Sequence, residues 1–116
     1  MAQLFGKEAG LFVPSGTMAN MISLMLSCKE KGDAAVVGHM THINIWERGN
    51  ISAAGSIMPV TVQNHEDGTL DLDEVEFFCK AADPHHSVNQ VLCLESTHNE
   101  CGGRVIPMSF ISSTHC

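Results

Sequence analysis

The sequence predicts an α/β fold of mostly parallel strands joined by crossover helices. Three observations lead there. Short apolar runs alternate with longer segments of helical periodicity, in the order strand, helix, strand, helix, strand, helix, strand. Polar clusters at Ser15 to Asn20, His39 to His42 and Glu95 to Asn99 each fall at or just past a predicted strand end, where parallel sheets collect ligands. The 116 residues, 44% hydrophobic and 16% charged, suffice for one compact domain with its own core but not for two.

Taken in order, residues 2 to 9 read as a helix end that Gly10 closes before a short strand, Leu11 to Val13. Met18, Met21, Ile22, Met25 and Leu26 then recur at helical spacing, with Leu24 on another face. Residues 18 to 28 therefore predict a helix apolar almost all round, deeply buried or lying at a subunit interface. Ala34 to Val37 is a strand ended by Gly38. Thr41 can cap a helix running to about Arg48, with Gly49 as its stop and Trp46 in core or interface packing. Met58 to Gln63 alternates as a strand does and ends at the turn signal Asn64 to Gly68. From Asp71 a helix shows Leu72, Val75, Phe78, Cys79 and Ala82 on one face. Asp71 and Glu74 have capping-box spacing, and Pro84 ends the helix. Val91 to Leu94 is a further strand, followed by a polar loop from Glu95 to Gly103.

Composition removes several function classes. A formal net charge of -7 with only six Lys plus Arg leaves no basic patch, so nucleic acid is not an expected partner. Apolar stretches break well short of a membrane span, and MAQLFGKEAG lacks the layout of a signal peptide, so a cytoplasmic setting is expected. Five cysteines without a CxxC pair predict reduced thiols. Cys93, His98 and Cys101 lack the tight paired spacings of a zinc site, and no metal is expected.

Three clusters remain as candidates for chemistry. Ser15-Gly16-Thr17 precedes the apolar helix, where first-turn N–H groups can bind phosphate and Gly16 permits close approach. The same residues also read as an ordinary Ser/Thr cap, and spacing alone does not choose. His42 lies at a helix start, which disfavours imidazolium, and a neutral ring can lie flat against an electron-poor aromatic ring; without further context a surface or capping role is the favoured reading. His39 shares that ambiguity. In Glu95-Ser96-Thr97-His98-Asn99, His98 can serve as a general base if a hydroxyl comes within reach, or the loop is polar without chemistry.

Together these stretches resemble the threonine aldolases, pyridoxal-phosphate enzymes of the aspartate-aminotransferase fold group. LFGKEAGLFVPSGTMAN is similar to the family's approach to its phosphate-binding turn, and GHMTH to the segment carrying its ring-stacking histidine. DGTLDLDEVE and LCLESTHNECGGRV resemble two further signatures in the right order. The likeness covers nearly the whole chain and weakens over 109 to 116, leaving a divergent tail. It implies that residues 1 to 116 form part of the cofactor-binding large domain of a fold-type I pyridoxal-phosphate enzyme.

By position, the resemblance implies that Ser15, Gly16 and Thr17 hold the phosphate of pyridoxal 5'-phosphate and that His42 stacks on its ring. His98 is implied near the substrate hydroxyl, making His42 and His98 the catalytic pair. The implied reaction cleaves a β-hydroxy-α-amino acid, threonine or allo-threonine, to glycine and an aldehyde. A homotetramer or dimer is implied as well. Where the family commonly has an acid, this sequence has His39.

No lysine follows Lys80 and no aspartate follows Asp83. The family's Schiff-base lysine and ring-nitrogen aspartate are implied to lie beyond the Gly-Gly-Arg segment, in sequence outside this chain. The resemblance thus implies a chain truncated at both ends and inactive alone. A non-catalytic binding or dimerising module, and another pyridoxal-phosphate lyase of the same fold, are the competing readings.

Overall fold

The computed structural model describes residues 1–80 and 85–114. Three parallel strands, β1 (Ala34–Gly38), β2 (Met58–Val62) and β3 (Asn89–Cys93), form a sheet in the order β2-β1-β3. Central β1 is in register with β2 from Ala34 opposite Met58 to Gly38 opposite Val62. All five residues of β1 are buried. A strand covered on both faces has no solvent side, so Ala-Ala-Val-Val-Gly carries no polar alternation.

Around the sheet lie α1 (Gly16–Ser27), α2 (His42–Ile45), α3 (Asn50–Ala53), α4 (Leu72–Lys80) and α5 (Met108–Ser113). The pleat of β1 sends Ala35 and Val37 into one core with Leu24, Cys28, Ile51 and Ile57. Val36 enters the other core with Val62, Leu70 and Val75, against which Phe110 of α5 packs. Helices therefore cover both faces, and the predicted α/β class with parallel strands and crossover helices stands.

Several elements differ from expectation. Leu11 to Val13 is not a strand; Leu11 and Phe12 are exposed and no strand pairs with them among the described residues. Strand propensity acts through packing against neighbours, and here there are none. Helix α1 starts at Gly16, two residues early, because Ser15 Oγ accepts the Met18 N–H at 3.2 Å. It is not deeply buried in this chain: Leu24 is its one buried residue, while Met18, Met25 and Leu26 are exposed.

The helix expected from Thr41 to Arg48 is shortened to α2, which ends at Ile45; Arg48 and Gly49 then take φ of 54° and 67°, and α3, which was not expected, begins only at Asn50. Thr41 does precede α2, but its hydroxyl donates to the Gly38 carbonyl at 2.7 Å instead of capping. Trp46 is exposed, not core, and its indole N–H donates to Glu100 Oε1 at 3.0 Å. At α4, Asp71 Oδ1 accepts the N–H groups of Asp73 and Glu74 at 2.9 and 3.2 Å. Glu74 does not reach back to complete the capping box; its Oε2 accepts the Gln63 N–H at 3.1 Å and ties α4 to the end of β2. Val75 faces the core as expected, whereas Cys79 is exposed. Ala82 and Pro84 lie outside the described residues.

Candidate functional site

The chain leaves β1 at Gly38 and enters α2 through His39, Met40 and Thr41; it leaves β3 at Cys93 and passes through Leu94 to Glu95. These two exits and the flank of α1 enclose an open cleft of about 350 Å³ at the carboxyl end of the sheet. Asn20, Ser23 and Leu24 form one wall, His42 and Ile43 the second, and Cys93 to Ser96 the third. Parallel sheets bind ligands at such positions because neighbouring strand exits diverge there.

Behind His42 stands Glu47, a buried acid. Its Oε1 accepts the Asn20 amide N–H at 2.8 Å and lies 3.3 Å from His42 Nδ1. A buried carboxylate is tolerated only when donors satisfy it, and these two side chains are its donors. A carboxylate oxygen only accepts, so His42 Nδ1 carries the proton. In the neutral ring Nε2 is then the bare nitrogen.

Glu95 works from the opposite wall. Its Oε2 accepts the His42 backbone N–H at 2.6 Å and its Oε1 accepts the Asn99 N–H at 2.9 Å. One carboxylate thus pins the start of α2 to the loop after β3. Two acids therefore surround His42, and α2, with four residues, is too short for its dipole alone to set the local field. Burial of the Cys93 thiol, with the Cys28 thiol nearby, pushes its pKa up to about 11. It is a neutral apolar wall at ordinary pH, not a nucleophile.

At the head of α1, Ser15 is the cap, and the N–H groups of Gly16 and Thr17 have no acceptor within the helix. A Cβ placed on Gly16 meets no atom within 4 Å, so the approach is open. Ser15, Gly16 and Thr17 do not line the cleft beside His42. Asn20, one turn further along α1, links that helix to the cleft.

His98 does not line it either. Its side chain is fully buried, and Asn64 Nδ2 lies 3.2 Å from its Nε2. Asn64 is a junction: its backbone N–H donates to His39 Nδ1 at 2.9 Å and its Oδ1 accepts the Met40 N–H at 2.9 Å. His39 is thereby held as an acceptor at Nδ1. Sequence reading missed Asn20, Glu47 and Asn64. Glu47 carried a signal, being the sole acid between Asp33 and Glu66 and following an apolar run.

The profile of the beta-eliminating lyase family matches residues 1–115. The chain belongs to the beta-eliminating lyase family. A probable low-specificity L-threonine aldolase 2 of Arabidopsis thaliana is 43% identical over 113 residues, covering 96% of this chain and 32% of the relative. The low specificity L-threonine aldolase of Escherichia coli K12 is 40% identical over 110 residues, covering 95% of this chain and 32% of the relative. A putative L-allo-threonine aldolase from Listeria monocytogenes EGD-E superposes with a TM-score of 0.75 at 22% identity, over 97% of this chain and 29% of that one. That likeness shows the fold. This beta-eliminating lyase chain spans about a third of the length of the curated relatives it matches.

Proposed function

We propose that these residues serve the pyridoxal-phosphate-dependent cleavage of a β-hydroxy-α-amino acid, threonine or allo-threonine, to glycine and an aldehyde. The observation that carries this reading is the Asn20–Glu47–His42 chain at the cleft wall, with Glu47 Oε1 2.8 Å from Asn20 Nδ2 and 3.3 Å from His42 Nδ1. It fixes the plane and the tautomer of a half-exposed imidazole, which is what a ring-stacking group requires.

The residues present fit the cofactor. The open N–H groups of Gly16 and Thr17, with the Ser15 hydroxyl free to donate while its oxygen caps the helix, suit a phosphate at the head of α1. His42 would stack on the pyridine ring, its outer Nε2 free to accept a proton or a hydrogen bond. When bound, pyridoxal 5'-phosphate supplies the electron sink that lets the Cα–Cβ bond part. The chain's own share is to bind the phosphate, orient the ring and manage the proton of the β-hydroxyl. The exposed apolar side of α1, with Met18, Met25 and Leu26, would face a second copy in a homo-oligomer.

The test is a titration of the purified chain with pyridoxal 5'-phosphate, followed by cofactor absorbance. Saturable binding that inorganic phosphate competes away, and that His42→Ala weakens about tenfold, is expected. Binding indifferent to both would overturn the assignment. Among the described residues no lysine lines the cleft, so borohydride should trap no single lysine, and the chain alone should release no glycine from threonine. One stoichiometrically labelled lysine together with glycine release would contradict this.

A further inference from the structure

We infer that Asn64 is a positioning residue that locks His98 as the Nδ1–H tautomer, making His98 a hydrogen-bond donor at the strand ends rather than a base. The argument begins with the orientation of one amide. Asn64 Oδ1 accepts the Met40 backbone N–H at 2.9 Å, and Asn64 Nδ2 donates to the Gly68 carbonyl at 3.5 Å. Turning the amide over would set its NH₂ against an N–H and its oxygen against a carbonyl. Two backbone groups from different elements therefore fix the same orientation.

With the amide so fixed, the atom facing His98 Nε2 at 3.2 Å is a donor. His98 Nε2 must then be an acceptor, and in the neutral ring the proton sits on Nδ1. A ring N–H at Nε2 would face the amide NH₂ donor to donor, so of the two neutral tautomers the contact selects Nδ1–H.

The ring cannot escape by tilting. His98 is fully buried, and a Cβ on Gly68 would lie 3.0 Å from its Cβ and 3.3 Å from its Cγ. Gly68 has φ of 87°, which side-chain-bearing residues rarely adopt, and His98 fills the space that a Cβ there would need. On the other side, a Cβ on Gly38 would lie 2.6 Å from Asn64 Nδ2, so the missing side chain there makes room for the amide. The backbone of His98 is fixed as well, its N–H donating to Arg104 O at 2.8 Å and its carbonyl accepting the Gly103 N–H at 2.9 Å.

What remains is a buried N–H. His98 Nδ1 has no partner among the described residues. Such a donor costs about 1–3 kcal/mol when left unmet, so a built and tightly packed one marks a place for an acceptor.

The experiment is nitrogen-15 NMR of the histidine rings in the purified chain, with no cofactor or substrate present. The expected spectrum assigns His98 one tautomer, with Nδ1 protonated and Nε2 in the shift range of a hydrogen-bonded acceptor. In Asn64→Asp a carboxylate oxygen replaces the NH₂, and the His98 proton should move to Nε2. An Nε2–H ring or a tautomer mixture in the unsubstituted chain would overturn the inference, whatever the variant does. Asn64→Asp leaving the tautomer unchanged in a folded chain would overturn it too. Failure of cofactor binding would bear on the proposed function alone and leave the tautomer untouched.

Discussion

His42 stands half out of the cleft wall with a carboxylate behind its Nδ1, whereas His98 is sealed under Gly68 with a carboxamide against its Nε2. Both rings end with the proton on Nδ1, yet for opposite reasons. Glu47 can only accept, so it draws the proton to the near nitrogen of His42 and leaves the far one bare. Asn64 presents a donor, so it demands a lone pair from the near nitrogen of His98 and leaves the far one protonated. The partner that a ring shows to the interior thus decides whether it offers the site an acceptor or a donor.

The largest effect should come from the floor beneath the His42 region. Leu24 is the one buried residue of α1 and packs against Ile51, Ile57 and β1. Leu24→Ala should lower unfolding free energy by about 2–5 kcal/mol in denaturant titrations. Since α1 carries Asn20, it should also loosen His42 while leaving the His98 tautomer in place; equal disturbance of both rings would show that the two regions are not independent.

Next in size is the lid on His98. Gly68→Ala adds a methyl 3.0 Å from His98 Cβ at a φ of 87°, and the strain should cost about 2 kcal/mol. Here the perturbation should fall on His98 and spare His42, the reverse of the first variant. A chain as stable as the original would mean the turn does not press on the ring.

Much of the frame was legible because periodicity reports burial. The parallel strands, the capping by Ser15 and Asp71 and the polar clusters at strand ends all follow from local pattern. What local pattern could not carry was the pairing of distant residues. Asn20 with Glu47, His42 with Glu95, and Asn64 with His98 are separated by 27, 53 and 34 positions. Leu11 to Val13 failed for a related reason: its composition suits a strand, but strand formation needs a neighbour elsewhere in the chain. The sequence placed His42 and His98 near the same end of the sheet, and only the fold distinguished a ring on a cleft wall from one sealed inside.

The cleft wall also predicts a pH dependence. The Cys93 pKa rises from 9.0 to about 11, first through burial and then through the Cys28 thiol. A thiol whose folded pKa lies above its unfolded value contributes stability present below about pH 9 and lost as pH rises toward 11, because the unfolded chain ionises first. The loss should reach about 1–2 kcal/mol after allowing for partial exposure. Chemical denaturation at pH 8 and pH 11 measures it, and Cys93→Ala should flatten the difference. An unchanged slope in that variant would place the dependence elsewhere.

The smallest effect on stability, and the sharpest on the comparison, should come from Glu47→Gln. A glutamine keeps the shape of the side chain and one accepting oxygen, but Asn20 Nδ2 and His42 Nδ1 both need that acceptor. If the amide oxygen serves both, two charge-assisted bonds become two neutral ones; if the NH₂ turns toward either, that bond is lost. Either outcome weakens the group by about 1 kcal/mol, partly offset because a neutral amide is easier to bury than a carboxylate. The tautomer is the better readout. With the carboxylate gone, nothing compels the proton of His42 onto Nδ1, and nitrogen-15 shifts should show the ring moving toward a mixture. His98 should keep its single tautomer, since Asn64 and its two backbone partners are untouched. A His42 ring that stays wholly Nδ1–H would mean that Glu47 is a structural acid and that another group holds the ring.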